Sequence, residues 1–129
     1  MTLTIAQILD CKHGIERLLQ ATVPAATALR IARLAQKITA EHKTAYEEYT
    51  KLFERYGTRD SAGNIKVTEA RMEEFRRELE PFLATEISIS VDRIPFSAIE
   101  QITMTANEIA AVEPFLQFEE AAPAGAPQP

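Results

Sequence analysis

Three side chains in this sequence could act as nucleophiles or metal ligands through sulfur or imidazole nitrogen: Cys11, His13 and His42. A zinc site needs three or four such ligands at suitable spacing, and His42 falls on the apolar side of a predicted long helix. Cys11 and His13 are two residues apart on another predicted helix, so their side chains point to different faces. The sequence therefore predicts no metal site, no cofactor and no Cys–His catalytic pair.

Carboxylates are numerous, but their positions do not indicate acid–base catalysis. A catalytic carboxylate needs a water-poor pocket that raises its pKa, whereas the pairs here fall on polar helix faces or near the end of the chain: Glu47 and Glu48, Glu73 and Glu74, Glu119 and Glu120. The segment that starts at Asp60 resembles a calcium loop, but Ala62, Ile65 and Arg71 occupy its third, sixth and twelfth positions. These residues lack the required oxygen ligands and glycine. We therefore predict a protein that is not an enzyme and has no catalytic residues.

Arg30, Arg33 and Lys37 form one basic stripe and are candidates for contact with phosphate. The chain as a whole carries a formal net charge of −5, whereas binding to nucleic acid or anionic membranes favours a basic surface. Acidic residues adjoin the stripe, and no aromatic residues interleave with it. We therefore predict no membrane partner, and we keep a nucleic-acid-associated regulator only as an alternative.

The elements that must position these residues are mainly helical. Thr4 and Gln7 form a capping-box pattern that predicts a first helix from Ile5 to Leu19. A second helix of about 33 residues ends at Gly57, which is predicted as a left-handed cap. Its apolar seam follows a heptad spacing through Ile31, Ala35, Ile38, His42, Ala45, Tyr49, Leu52 and Tyr56.

After this long helix, the sequence predicts a turn at Asp60–Gly63, a short strand at Ile65–Val67 and a third helix that begins after Thr68. Strict alternation predicts a half-buried strand at Ile87–Val91, whose partner is Ile65–Val67, residues 2–4 or a second subunit. A second capping box at Thr105 starts a short closing helix. The fold class is thus α+β and mainly α, with two shorter helices packed along a long central helix, a small β element and a short C-terminal helix.

The tetrapeptide Glu-Pro-Phe-Leu occurs twice, at residues 80–83 and 113–116, and we interpret each copy as a helix stop because proline interrupts helices. The second copy places the end of a single domain near Phe118, giving a domain of residues 1–118. Residues 119–129 are an Ala/Pro-rich tail that we predict to be disordered. The N-terminus lacks the features of a signal peptide, so we expect a cytoplasmic protein.

Two apolar surfaces are candidates for binding another protein. The first is the aromatic end of the long helix: Tyr46, Tyr49, Phe53 and Tyr56. Tyrosine is enriched at protein interfaces, and Tyr46 stands beside the seam rather than on it. The second is the strand with Ile87, Ile89 and Val91, whose open edge could pair with another chain. The partner is either a different protein or a second copy, which would make a homo-oligomer.

The order of these parts resembles a family of small uncharacterised proteins encoded by tailed bacteriophages and prophages. The resemblance covers about residues 1–118 and is carried by "LFERYGTRDSAGNIKV", "TEARMEEFRRELEPFL", "TEISISVDRI" and the final "VEPFL". It implies a phage protein that acts by protein–protein contact in the host cytoplasm or in the virion. A virion or assembly component is the leading expectation, and a host-directed inhibitor or anti-defence protein is the alternative.

Overall fold

The computed structural model describes residues 1–118 and has a mainly helical α+β fold, which confirms the predicted class. The predicted tail, residues 119–129, lies outside the described residues. The helices are α1 (Ile5–Asp10), α2 (Lys12–Gln20), α3 (Ala25–Tyr56), α4 (Glu69–Ala84) and α5 (Ala106–Val112). The strands are β1 (Thr2–Thr4), β2 (Gly57–Arg59), β3 (Ile65–Val67), β4 (Glu86–Ser88), β5 (Ile94–Pro95) and β6 (Leu116–Gln117).

The predicted first helix is two helices, α1 and α2, which are separated at Cys11. The capping box at its start is confirmed, because the Gln7 amide N–H donates to Thr4 Oγ1 and the Thr4 N–H donates to Gln7 Oε1. The Cys11 side chain is fully buried, and its thiol donates to the Ile8 carbonyl over 3.1 Å. The break allows α1 to contact β1 and α4, while α2 contacts α5, and both contact α3.

Helix α3 is the central element, and its 32 residues make it about 48 Å long at 1.5 Å per residue. Helices α1, α2 and α4 all contact it, so the shorter helices cover its apolar seam within one chain. The buried positions of α3 recur in steps of three and four: Ile31, Leu34, Ala35, Ile38, Ala45 and Leu52. The seam residues His42, Tyr49 and Tyr56 are only half-buried. The shorter helices therefore cover the seam incompletely in the C-terminal half of α3.

The end of α3 leads directly into a β-hairpin formed by β2 and β3. The predicted left-handed cap at Gly57 is wrong, because its φ is −99° and its ψ is 165°, which is extended backbone. A side chain at Gly57 would instead collide with Ile65 across the hairpin and with the Phe53 carbonyl. The predicted turn is confirmed, since the Gly63 N–H donates to the Asp60 carbonyl over 3.0 Å and Gly63 has a φ of 84°.

The two Glu-Pro-Phe-Leu copies behave differently. Helix α4 continues through Pro81 to Ala84, so the predicted stop at the first copy is wrong. Pro81 has no N–H to donate to the carbonyl group one turn earlier in the helix. Because Pro81 is exposed, that carbonyl group can accept a hydrogen bond from water instead. At the second copy, α5 ends at Val112 and a single 3-10 turn (Glu113–Phe115) follows, which confirms the stop. The capping box at Thr105 is also confirmed.

The predicted strand is shorter than expected and pairs with β1, which was one of the three proposed partners. In this antiparallel pair Leu3 lies opposite Ile87, and the Ile89 N–H donates to the Met1 carbonyl. Strands β5 and β6 form a separate parallel pair. One core cluster includes side chains from the N-terminal helices, α3 and the C-terminal segment, among them Leu3, Ile8, Ile31, Ile94 and Phe115. Within residues 1–118, none of the helices combines the length and apolar character needed to cross a membrane.

Candidate functional site

A surface groove lies between α1–α2 on one side and α3 on the other. Its volume is about 990 Å³. From α3 it is lined by Ile38, His42, Tyr46 and Tyr49, which lie on one stripe because residues three and four apart share a helix face. Helices α1 and α2 contribute Ala6, Leu9, Ile15 and Leu19, and Leu83 of α4 also lines it. We call this surface the α1–α3 groove.

Exposed apolar side chains occur at the groove. Leu19 is 51% exposed and Tyr46 is 56% exposed, and they are two of only four large apolar side chains in residues 1–118 with such exposure. Isolated exposed apolar residues are ordinary, but residues that cluster around a concavity indicate a binding surface. Both of these residues border the α1–α3 groove.

An imidazole lies within this groove and is held by its neighbours. The His42 ring stacks on the Tyr46 ring, with a centroid distance of 6.0 Å and an interplanar angle of 9°. Partial burial lowers the pKa of His42 below its usual value of 6.5, and the nearby positive charge of Lys12 lowers it further. A hydrogen bond with the Leu9 backbone and the charge of Glu16 act in the opposite direction. The lowered pKa favours a neutral ring at neutral pH.

Charged side chains of both signs lie at the edges of the α1–α3 groove. Asp10, Lys12 and Glu16 come from the α1–α2 side, and Lys43 comes from α3. All four are exposed. An apolar centre with a polar, solvent-accessible rim is the usual composition of a protein interface.

The four aromatic residues predicted as an interface divide into two groups. Tyr46 and Tyr49 line the groove. Phe53 and Tyr56 instead pack against Phe75 of α4, with centroid distances of 4.8 Å and 6.1 Å. Phe75 is only 5% exposed, so this second group belongs to the packing between α3 and α4. Tyr49 connects the two groups through an edge contact with Phe53 at 4.9 Å.

The strand residues predicted as an interface lie away from the groove lining. Ile89 is 6% exposed and belongs to the core. Ile87 and Val91 are half-buried and pack against the same core. In this conformation their side chains contribute to folding, and we do not include them in the candidate site.

The groove residues that come from outside the long helix were absent from the sequence-based site, among them Leu9, Ile15, Leu19 and Leu83. Their contribution depends on how α1, α2 and α4 pack on α3, and a single sequence does not show this packing. A partial signal was present, because Leu18 and Leu19 are adjacent apolar residues at the end of an amphipathic helix. Adjacent residues on a helix point about 100° apart, and here Leu18 is buried whereas Leu19 is exposed.

The basic stripe lies at a different place on α3. Arg30, Arg33 and Lys37 line a small pocket of about 130 Å³ together with Gln36, Leu34, Val91 and Asp92. Lys37 Nζ donates a hydrogen bond to the Ser90 carbonyl. This contact holds Lys37 against the segment that follows β4.

The residues considered for metal binding are not brought together. Cys11 is buried, His13 is exposed beside Glu16, and His42 lies in the groove. Asp60 Oδ1 accepts the amide N–H groups of Ala62 and Asn64, so this carboxylate stabilises its own turn. Within residues 1–118 no group of three or more His, Cys, Asp or Glu side chains is arranged to hold a metal ion.

Comparison with known proteins gives no relative for this chain. No protein-family model matches it, and no curated protein or solved structure is significantly similar to it.

Proposed function

We propose that this protein is not an enzyme and acts by protein–protein contact, with the α1–α3 groove as the contact surface. The observation that carries the proposal is the apolar groove of about 990 Å³ bordered by the exposed side chains of Leu19 and Tyr46. Tyrosine is enriched among the few residues that supply most of the binding energy at protein interfaces. The occupant that this groove fits best is an amphipathic α-helix of another protein.

The length of the groove supports a helical occupant. Ile38 and Tyr49 are eleven residues apart on α3, which corresponds to about 16 Å along the helix axis, or about three helical turns. A partner helix lying along this stretch would place apolar residues at every third or fourth position against Leu9, Ile15 and Tyr46. This is the helix-in-groove mode of recognition.

The distribution of polar groups also supports this mode. Charges of both signs lie at the rim, where they can pair with the polar face of an amphipathic helix. His42 is stacked on Tyr46, and none of its hydrogen bonds within residues 1–118 reaches a carboxylate that could orient it as a catalytic base. The groove therefore has the properties of a docking surface rather than those of a catalytic pocket.

The biological setting of the proposal comes from the sequence resemblance. If the chain is a member of the phage and prophage family expected from its sequence, its role is that of a virion or assembly component. A host-directed inhibitor or anti-defence protein would use the same kind of groove. Mass spectrometry of purified particles separates the two roles, because an assembly component is expected in particles or their precursors and an inhibitor is expected only in the infected cytoplasm.

Photo-crosslinking tests the groove itself. A benzophenone amino acid is introduced in place of Tyr46, and a matched variant carries it in place of Leu29, which is 52% exposed on the same helix but lies outside the groove lining. In cells that produce the protein naturally, position 46 should form one discrete adduct whose crosslinked peptide is an amphipathic helix. A synthetic peptide of that sequence should then bind the purified protein and lose affinity in Leu19→Asp.

Two results would contradict the proposal: equal adducts at positions 46 and 29, or a synthetic peptide whose affinity is unaffected by Leu19→Asp. An adduct of twice the mass of the chain would identify a second copy as the occupant. In that case the partner would be a second copy of this chain, and the protein would act as a homo-oligomer.

A further inference from the structure

The basic residues of this acidic protein are concentrated in one segment. Between Glu16 and Glu41 the chain contains no acidic residue, but it contains Arg17, Arg30, Arg33 and Lys37. The remainder of a chain with a net charge of −5 is therefore strongly acidic. Such an asymmetry of charge indicates a local site for an anion.

Three of these cations converge on one small pocket. Arg30, Arg33 and Lys37 lie at positions i, i+3 and i+7 of α3, on one stripe of the helix, and they line the pocket of about 130 Å³ with Gln36 and Asp92. Within residues 1–118 no carboxylate lies within salt-bridge distance of Arg30 or Arg33, although other arginines such as Arg55 and Arg77 have such partners. Two guanidinium groups are therefore available to a ligand.

The pocket is also partly ordered before any ligand binds. Lys37, which lines the pocket, donates a hydrogen bond to the Ser90 carbonyl, so the position of its positive charge is restricted. Leu34, which is 2% exposed, and Val91 provide an apolar base. Less side-chain freedom is then lost on binding than for cations on a free helix surface.

We propose that this pocket binds a single phosphate group carried by a small molecule. Its volume of about 130 Å³ leaves room for a small anion such as one phosphate group. A guanidinium group binds phosphate through two parallel hydrogen bonds, and the Lys37 ammonium and the Gln36 amide can each donate another. A continuous nucleic-acid backbone would need a longer basic track than these few positions.

Asp92 provides a specific test of the proposal, because its negative charge opposes phosphate binding. Its carboxylate lines the same pocket and offsets one of the three positive charges. Replacing the Asp92 carboxylate with an amide of the same shape should strengthen phosphate binding. Removing a guanidinium group should weaken it. A nonspecific electrostatic attraction to the whole protein would not distinguish these positions from other charged sites.

The test is a titration of the purified protein with inorganic pyrophosphate, in which one phosphoryl group is the ligand and the other stands in for the molecule that carries it, and binding is monitored through backbone amide shifts in NMR. We expect shifts that are confined to residues near Arg33 and Asp92. Relative to the natural protein, Arg33→Gln should bind about ten-fold more weakly, and Asp92→Asn should bind several-fold more tightly. Arg76→Gln, which removes an exposed arginine from α4, is the matched control and should leave the affinity unchanged. The unbound spectra establish that each variant is folded.

Equal effects of Arg33→Gln and Arg76→Gln would overturn the proposal, as would an unchanged affinity in Asp92→Asn. A single-stranded oligonucleotide that binds through Arg30 and Arg33 much more tightly than pyrophosphate would also overturn it, in favour of a nucleic-acid surface. This site is independent of the α1–α3 groove, so Tyr46→Ala should not change pyrophosphate binding.

Discussion

The rings of Phe53 and Phe75 lie 4.8 Å apart at an interplanar angle of 57°, and this contact joins α3 to α4. It divides the aromatic residues of α3 according to their roles. Phe53 and Tyr56 stabilise the packing of the two helices, whereas Tyr46, two turns earlier, borders the α1–α3 groove. Under the proposed function, folding and binding therefore depend on different aromatic residues of the same helix.

Replacing Phe75 with alanine should reduce stability strongly. Phe75 is 5% exposed and contacts two aromatic rings, so we expect a loss of about 3 kcal/mol in the free energy of unfolding. Urea denaturation followed by circular dichroism measures this change. Tyr46→Ala removes an exposed ring and should change the same free energy by less than about 0.5 kcal/mol. Similar losses for the two variants would contradict the division of roles.

Replacing Gly14 with alanine should also reduce stability, although alanine is the better helix former. A β-carbon at this position would lie 2.6 Å from Val112 Cγ1 and 2.7 Å from the Glu108 carbonyl oxygen, so α2 and α5 would have to separate. We expect crowding of about 1–3 kcal/mol to exceed the helix-propensity gain of about 1 kcal/mol. Urea denaturation of the variant provides the test.

The double variant Gly14→Ala with Val112→Ala checks this cause. Removing the valine methyl groups relieves one of the two close contacts, and the two changes should then be less harmful together than the sum of their separate effects. A Gly14→Ala protein that is more stable than the natural protein would show that α5 moves away without cost.

Stability should decrease in alkaline solution because of Cys11. Burial raises the pKa of its thiol from 9.0 to about 11, so the folded state disfavours the thiolate. The stabilising effect is complete below pH 9 and is lost as the pH rises toward 11. From the linkage relation, the natural protein should lose about 2 kcal/mol between about pH 8 and about pH 10.5.

Cys11→Ala isolates this effect. The raised pKa values of Tyr49 and Tyr56 also reduce stability at high pH, but they do so in both proteins. The difference in unfolding free energy between the natural protein and the variant should therefore shrink as the pH rises. A difference that stays constant over this range would contradict a buried thiol.

Partner binding should weaken as the pH falls through the pKa of His42, which lies below its usual value of 6.5. The pKa of His42 is already lowered by burial and by Lys12, and a helix in the groove would bury the ring further. Binding therefore favours the neutral ring and releases a proton when part of the free protein is protonated. Calorimetric titration at several pH values measures the effect, and His42→Gln should remove most of it. A binding affinity that rises on acidification would contradict this placement of the ring.

Local features of the structure were predictable from the sequence. The two capping boxes, the turn at Asp60–Gly63 and the span of α3 depend on residues close together in the chain. The break at Cys11 was not predictable, because it arises from the different contacts of α1 and α2. The role of Gly57 was also not predictable. This position requires glycine because a larger side chain would collide with Ile65, and not because its φ is positive.

The candidate site was only partly predictable for a related reason. Tyr46 could be recognised because it stands beside a heptad seam, and Tyr49 because it extends that seam. Leu19 and Leu83 come from other helices, and their place in the groove depends on tertiary packing. The burial of Ile89 likewise depends on the pairing of β4 with β1, which is a choice among distant segments that a single sequence leaves open.

We propose that the α1–α3 groove binds a partner helix through Tyr46. The most direct test of this proposal is the affinity of the helical peptide identified by crosslinking, measured by calorimetry for the natural protein, Tyr46→Ala and the control Leu29→Ala. We predict that Tyr46→Ala weakens binding about 30-fold, as expected for the loss of about 2 kcal/mol at an interface tyrosine, while Leu29→Ala binds like the natural protein. Equal affinities for all three proteins would contradict the proposed role of Tyr46 in binding.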